Sequence, residues 1–387
     1  MTGSRQDQMD IVGVMAFDLT AAFDTVSAPA LLAKLESTGI TGNSLKSFNS
    51  YMSGRTQKVL WNDKLSSELP VTHGVPQGSI LGPILFLVII ADMPRYVIGD
   101  MNNAKMTGYA DDSTVHVHAK SIDQVKSDLE ILSNRMISYC QGAGLVLNNE
   151  KSQLLVSPKQ ECQIKMGSCL ITATTEINLL GVIFDSNFMT TPYLHTLARS
   201  AKTAAALISR LSFSMPPHTL TSFAHGLLMG KILSSCPVTI PIHLNNDDSS
   251  NIRGAICVKE DINKAIKSTA RTITRIKLSD KVNSENVLQK ANLKCLNESV
   301  ASIMATTVWK SKQSMDPLGQ RLFRERTCVR KLRSATSNET PQPVPGYPKL
   351  ASNLMARIWN DIPELRNATT LSAARAISKK WAKGVPR

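Results

Sequence analysis

No Cys-x-x-Cys pair occurs among the seven cysteines of this 387-residue chain. That excludes the ligand spacing of zinc ribbons and zinc knuckles. An odd, scattered cysteine set also fits a reducing compartment without structural disulfides. Long apolar runs are missing too. The longest, Ile84 to Ala91, falls far short of the roughly 20 residues that span a bilayer. The opening Met1-Thr2-Gly3-Ser4-Arg5-Gln6-Asp7 is polar and contains no signal-peptide core. The Asn-x-Ser/Thr triplets at Asn297, Asn338 and Asn367 are then chance matches to glycosylation acceptors. Internal repeats and low-complexity tracts are also absent. Together these absences lead us to expect a soluble intracellular protein, nuclear or cytoplasmic, without a membrane partner.

What is present begins with charge. Apolar residues make up 42% of the chain, enough for sizeable cores, and the length allows two or three domains. Residues 1–189 hold 14 Lys and Arg against 18 Asp and Glu, a net −4; residues 190–387 hold 30 against 12, a net +18. A slightly acidic half followed by a strongly basic one fits a metal site beside a nucleic-acid cradle. Binding of that kind is dominated by phosphate neutralisation and falls steeply with salt.

The acids of the first half are placed unusually. Gly108-Tyr109-Ala110-Asp111-Asp112-Ser113 reads as strand, tight turn and strand, with two adjacent acids at the turn. Adjacent like charges repel, and a divalent cation held by oxygen ligands is the usual compensation, which suits magnesium or manganese. Upstream, the apolar run Ile11 to Phe17 has strand length and ends in Asp18, which opens Asp18-Leu19-Thr20-Ala21-Ala22-Phe23-Asp24. Between the two acidic sites, Gly74-Val75-Pro76-Gln77-Gly78-Ser79 forms a tight loop, and Pro83 is placed to begin a buried helix. Ile122, Val125, Leu129, Leu132, Met136 and Tyr139 repeat at three and four, an amphipathic helix ending at Gly142 and Gly144. Leu145 to Ser152 leads into another strand, and Leu179 to Asp185 reads as a strand with Gly181 at its centre. His116 and His118 share a strand face without a third ligand nearby, which makes them surface residues.

In this order the segments resemble motifs A to E of the reverse transcriptase palm, most closely that of non-LTR (LINE-type) retrotransposons. The resemblance implies RNA-directed DNA polymerisation, with an RNA template, a DNA primer, deoxyribonucleoside triphosphates and two Mg2+ (or Mn2+) ions. It makes Asp18 and Asp111 the bridging metal ligands, with Asp112 supporting them. It makes Phe23 an aromatic gate against a ribose 2′-hydroxyl, and Gln77 a contact of the incoming nucleotide, with Gly78 allowing close backbone approach. Lys151 becomes the group that protonates or electrostatically stabilises the leaving pyrophosphate. Asp24 fits the pattern as a structural residue. An RNA-dependent RNA polymerase would share the acids, but Phe23 argues against it. A catalytically silent nucleic-acid-binding remnant is the alternative from another class.

The second half reads as mostly helical. His195 to Leu211 and Thr219 to Leu233 flank the breaker Pro216-Pro217. Ile262 to Ile276 places Lys264, Lys267, Arg271 and Arg275 on one face for nucleic acid and Ile262, Ile266, Ala270 and Ile273 on a buried stripe. A second basic cluster runs from Arg321 to Arg333, and short helices cover Leu350 to Asp361 and Leu371 to Trp381. The expected fold class is α+β: residues 1–189 a palm with an antiparallel sheet backed by helices, and residues 190–333 a helical, basic, thumb-like region. A Pro-rich linker over 334–348 and a basic helical segment over 349–387 follow. Only 17 residues precede Asp18, where the family places fingers and LINE proteins an endonuclease. The resemblance therefore implies the carboxy-terminal part of a retroelement polyprotein, with intact motifs and poor activity on its own.

Overall fold

Strand β1 (Ile11–Thr20) is apolar on both faces, and the fold covers both. The computed structural model describes residues 10–240, 253–314 and 351–384, and it divides into two units, Met1–Met189 and Thr190–Arg387. In the first unit β1 is followed by α1 (Ala22–Thr25), α2 (Ala28–Ser37) and α3 (Gly42–Met52). Two small ribbons come next, from β2 (Thr56–Gln57), β3 (Leu60–Trp61), β4 (Lys64–Leu65) and β5 (Leu69–Pro70). Helices α4 (Gly82–Ile90) and α5 (Met93–Ile98) precede β6 (Ala104–Tyr109) and β7 (Asp112–Ala119). Then come α6 (Ile122–Ala143), β8 (Val146–Ser157), β9 (Gln163–Met166), β10 (Cys169–Thr174), β11 (Glu176–Leu179) and β12 (Val182–Asp185).

Six strands form one sheet in the order β6-β7-β1-β8-β10-β9. All its pairings are antiparallel except β8 with β10, so the expected antiparallel sheet carries one parallel step. Successive side chains alternate faces. Met15, Phe17 and Leu19 of β1 join Val125, Leu129, Leu132 and Met136 of α6 in one core. Val12 and Val14, on the opposite face, pack with Leu155 and Ile177. Each fully buried side chain of this size contributes about 1.5–3 kcal/mol.

Two expectations are corrected here. Leu179 to Asp185 is not one strand: Leu180 and Gly181, at φ 52° and 79°, form the two-residue turn between β11 and β12. Two consecutive positive φ values are what a type I′ hairpin turn requires. His116 is not a surface residue; it is 8% exposed, and its Nδ1 is buried without a hydrogen-bond partner. It pairs in register with Val14, on a sheet face that is covered.

The second unit is helical throughout its described residues. It comprises α7 (Thr191–Leu211), α8 (Pro217–Phe223), α9 (Gly230–Ser234), α10 (Cys236–Thr239), α11 (Arg253–Thr274), α12 (Ser284–Lys290), α13 (Leu296–Ser314), α14 (Ala351–Asp361), α15 (Pro363–Arg366) and α16 (Leu371–Ala382). The helix expected over Thr219 to Leu233 is interrupted by a π-helical turn at Ala224–Met229. Ile262, Ile266, Ala270 and Ile273 are buried, as their spacing predicts. The helices after residue 350 share this core: Trp359 and Leu365 pack in the same cluster as Ile262 and Met304, and Trp309 Nε1 donates to the Ala368 carbonyl at 3.0 Å. The Arg321–Arg333 cluster and the 334–348 segment lie outside the described residues. Among the described residues no helix is long and apolar enough to cross a membrane.

Candidate active site

The β6–β7 turn brings the acids together. Tyr109 pairs with Asp112, leaving Ala110 and Asp111 as the turn, with Ala110 at φ 51°. Phe17 of β1 pairs with Ser113 of β7, so the next residues outward, Asp18 and Asp112, stand on neighbouring strands. Asp18 shares the face of Val12 and Val14 rather than the α6 face. Desolvation raises the Asp112 carboxyl above the ordinary range, and the carboxylates of Asp111 and Asp18 push it further the same way. The residues singled out as a metal cluster therefore lie within one another's electric field. Their donor set is oxygen only, which matches a hard divalent cation, and a cation is what would relieve the repulsion on Asp112. Among the described residues no three His, Cys, Asp or Glu side chains form a ready metal cage.

A wide bulge in β8 builds the neighbouring wall. Ala16 pairs with Gln153 and Asp18 with Asn148, so Phe17 alone faces the four residues Asn149 to Ser152. The bulge is fastened internally. Ser152 Oγ donates to the Asn148 carbonyl at 2.8 Å, the Lys151 amide donates to Asn148 Oδ1 at 3.3 Å, and the Asp18 amide donates to Ser152 Oγ at 3.4 Å. Extra residues on one strand project side chains out of the ladder. Here they bring Glu150 and Lys151 to a cleft of about 470 Å³ that Asp18, Asp112, Asn178 and Leu180 also line.

Phe23, Gln77 and Gly78 are brought together around α1. The Val75 amide donates to the Phe23 carbonyl and the Gly74 amide to the Val26 carbonyl, both at 2.8 Å, which ties the 74–78 loop to α1. Gly74 permits that approach, since a Cβ there would lie 2.7 Å from the Asp24 Cα. Phe23 stacks on Phe86 of α4 with ring centroids 4.6 Å apart at 26°. Gln77 Nε2 donates to both carboxylate oxygens of Asp24, at 2.8 and 2.9 Å. Gly78 sits at φ 78°, and a Cβ there would enter open space. Asp24 thus has a specific partner that its sequence position does not reveal. The Tyr139 hydroxyl, counted in sequence as part of an apolar stripe, donates to the Ile89 carbonyl at 2.7 Å and secures the end of α4.

The four basic residues expected to share a helix face in the second unit do not act alike. Helix α11 ends at Thr274, and Arg275 lies beyond it at φ 57°, off the predicted face. Arg271 is spent on the fold, donating to the Lys277 carbonyl at 3.1 Å and the Val282 carbonyl at 3.3 Å. Lys264 lies 3.6 Å from Asp261 in an exposed ion pair. Lys267 lines a separate cleft of about 290 Å³ with Asn263, Asn283 and Ser284.

Residues 4–184 match the family model described as reverse transcriptase (RNA-dependent DNA polymerase). The RNA-directed DNA polymerase from mobile element jockey of Drosophila melanogaster is 26% identical over 226 residues, 57% of this chain and 24% of the relative. The probable RNA-directed DNA polymerase from transposon X-element of the same fly is 26% identical over 146 residues, 38% of this chain and 16% of the relative. The Pol polyprotein from the type-1 retrotransposable element R2 of Popillia japonica is 25% identical over 205 residues, 48% of this chain and 33% of the relative. The chain thus spans a third or less of each of these relatives. Among solved structures, apo telomerase from Candida tropicalis aligns with a TM-score of 0.42 at 11% identity, covering 82% of this chain and 53% of that one. The chain carries a reverse transcriptase (RNA-dependent DNA polymerase) domain homologous to those of non-LTR retrotransposon polymerases such as jockey and the X-element.

Proposed function

We propose that this chain is the catalytic part of an RNA-directed DNA polymerase that extends a DNA primer on an RNA template. The primer 3′-hydroxyl gives up its proton to solvent, its oxygen bonds to the α-phosphorus of a deoxyribonucleoside triphosphate, the α–β phosphoanhydride breaks, and pyrophosphate leaves. Such transfer rests mainly on positioning and charge neutralisation. Asp18, Asp111 and Asp112 are the residues that would hold two Mg2+ or Mn2+ ions. When bound, that pair supplies charge for the attacking hydroxyl and for the departing pyrophosphate. Sites of this class complete their coordination with substrate phosphates rather than with an all-protein cage.

The chain's own residues do the rest. The β8 bulge places Lys151 on the cleft, where its ammonium can meet the leaving group's negative charge. Phe86 backs the Phe23 ring and fixes where that ring stands, so the ring can occupy the space of a 2′-hydroxyl. In the second unit, Lys264 and Lys267 are exposed cations among the described residues of α11 and can meet backbone phosphates.

The observation that carries this reading is the register that sets Asp18 beside Asp112 on one sheet face, with Asp111 at the adjoining turn. The test is Mn2+ titration of the full chain by calorimetry, with primer extension on an RNA template alongside. Mn2+ binding and incorporation that both disappear in Asp18→Asn are expected. A wild-type chain that neither binds Mn2+ nor extends a primer would overturn the proposal.

A further inference from the structure

After Glu364 the chain contains no further Asp or Glu, and Arg375, Lys379, Lys380 and Lys383 lie on helix α16 or at its end. The helix is firmly seated. Ala374, Ser378 and Ala382 are buried, and Leu371, Ile377 and Trp381 pack partly against the same core. Thr370 caps the first turn, its Oγ1 accepting from the Ala373 amide at 3.2 Å, and Lys383 at the far end keeps helical backbone angles. At about 100° per residue the four cations fall within an arc of about 140°, away from the buried stripe. All four are exposed. Arg375, Lys379 and Lys383 follow one another every fourth residue, about 6 Å apart along the helix axis.

Among the described residues no carboxylate pairs with any of the four. Like charges three and four residues apart destabilise a helix. The helix dipole offsets part of that cost for the cations of the last turn, but Arg375 lies a turn too early to gain from it. We infer that this face of α16 is a nucleic-acid-binding surface that holds the phosphates of a single strand without reading its sequence. Charge complementarity supplies the attraction, and the spacing of the row is close to that of successive phosphates along an extended strand. Besides the cations the face carries Ser372 and Ala376, and no Asn, Gln or aromatic side chain that would recognise base edges or stack on bases. The apolar face of α16 is committed to the protein core, so none is left to enter a bilayer, which favours nucleic acid over lipid. The inference goes beyond the polymerase reading and does not depend on the acids of the first unit.

The test is fluorescence anisotropy of a labelled oligouridine with the full chain across a salt series, in EDTA so that no divalent metal contributes. Each phosphate neutralised on a single strand adds about −0.7 to the slope of log K against log salt. Replacing Arg375, Lys379, Lys380 and Lys383 together by glutamine, which helices tolerate well, should flatten the slope by about 2 to 3. Arg375→Gln with Lys379→Gln should flatten it by about half as much, and this pair decides the matter if thermal melting shows that the fourfold variant does not fold. A slope unchanged in the variant that folds would overturn the inference. So would a variant that loses binding to phosphatidylserine vesicles yet binds oligouridine as before, since α16 would then be a lipid surface. Either failure leaves the polymerase reading intact, because that reading is decided by Mn2+ binding and primer extension.

Discussion

Asp18 and Asp112 line an open cleft with no ion pair to either among the described residues, whereas Arg271 and Lys264 of the second unit already have partners within their fold. The difference follows from what each charge costs. Burial raises the Asp112 carboxyl, and the neighbouring carboxylates of Asp111 and Asp18 add to that by repulsion. Among the described residues no cation pairs with Asp18 or Asp112, which is what the proposed metal site requires. A guanidinium on an amphipathic helix lies within reach of open carbonyls at the helix end and can stabilise the fold directly. Charge that weakens the fold identifies function better than charge that helps it.

The largest expected effect separates the two roles. Asp18→Asn should lower nucleotide incorporation on the order of 10³-fold, since several kcal/mol of charge stabilisation disappear. The same change removes a repelling charge, so the melting temperature should hold or rise. Arg271→Ala should do the reverse, costing about 1–3 kcal/mol for its two carbonyl contacts. Paired melting and primer-extension measurements on these two variants would break the comparison if Asp18→Asn proved the less stable protein.

Phe23→Val comes next. Removing the ring opens the volume proposed to exclude a 2′-hydroxyl, and steric pockets of this kind discriminate by roughly 10- to 100-fold. Ribonucleotide incorporation relative to deoxyribonucleotide should rise by that factor. The loss of the Phe86 stack should also cost about 0.5–1.5 kcal/mol beyond the lost area, seen in denaturant melts. If selectivity stayed fixed while stability fell, Phe23 would be only a packing residue.

These roles differ in how legible they are in sequence. Asp18, Asp111 and Asp112 can be read because strand, turn and strand order places them, and the β-sheet register then fixes their neighbours. The amphipathic repeat likewise predicts α6 and the buried stripe of α11. The β8 bulge is silent in sequence, because four residues opposite one leave no mark on an alternation pattern. Asp24 reads as structural for want of a visible partner, since nothing in either residue's own segment points across the 53 positions to Gln77. His116 is misread because a polar residue alternating on a strand implies an outward face, and here both faces are covered. The carbonyl partners of Arg271 are silent in sequence because spacing gives the helix face and not the carbonyls that follow the helix.

His116 offers a pH test of the buried sheet face. Burial, with smaller contributions from Lys105 and His118, lowers its imidazole to about 4 from 6.5. The unfolded chain takes up this proton near pH 6.5 and the folded chain only near 4. Stability is therefore full above pH 6.5 and declines as pH falls toward 4, by about 3 kcal/mol in total. Urea unfolding at pH 7 and pH 4.5 should show the loss in the wild type and a smaller one in His116→Leu. Equal losses in both would place the pH sensitivity elsewhere.

The smallest effect concerns the basic helix, and it sharpens the comparison most. Each phosphate neutralised on duplex DNA contributes about −0.9 to the slope of log K against log salt. Lys264 can leave Asp261 at little cost, because exposed ion pairs are worth about 0–1 kcal/mol. Lys267 is exposed and lines a cleft that also holds Asn263, Asn283, Ser284 and Glu285, so its ammonium is open to a phosphate. Replacing both by alanine should therefore flatten the salt slope of RNA–DNA duplex binding by about 1 to 2 units. Arg271→Ala should leave the slope unchanged despite carrying the same charge, because its guanidinium is committed to the Lys277 and Val282 carbonyls. Fluorescence anisotropy across a salt series can resolve a change of one unit. A slope that responded to Arg271 and not to the two lysines would show that the fold's carbonyls lose their guanidinium to nucleic acid on binding.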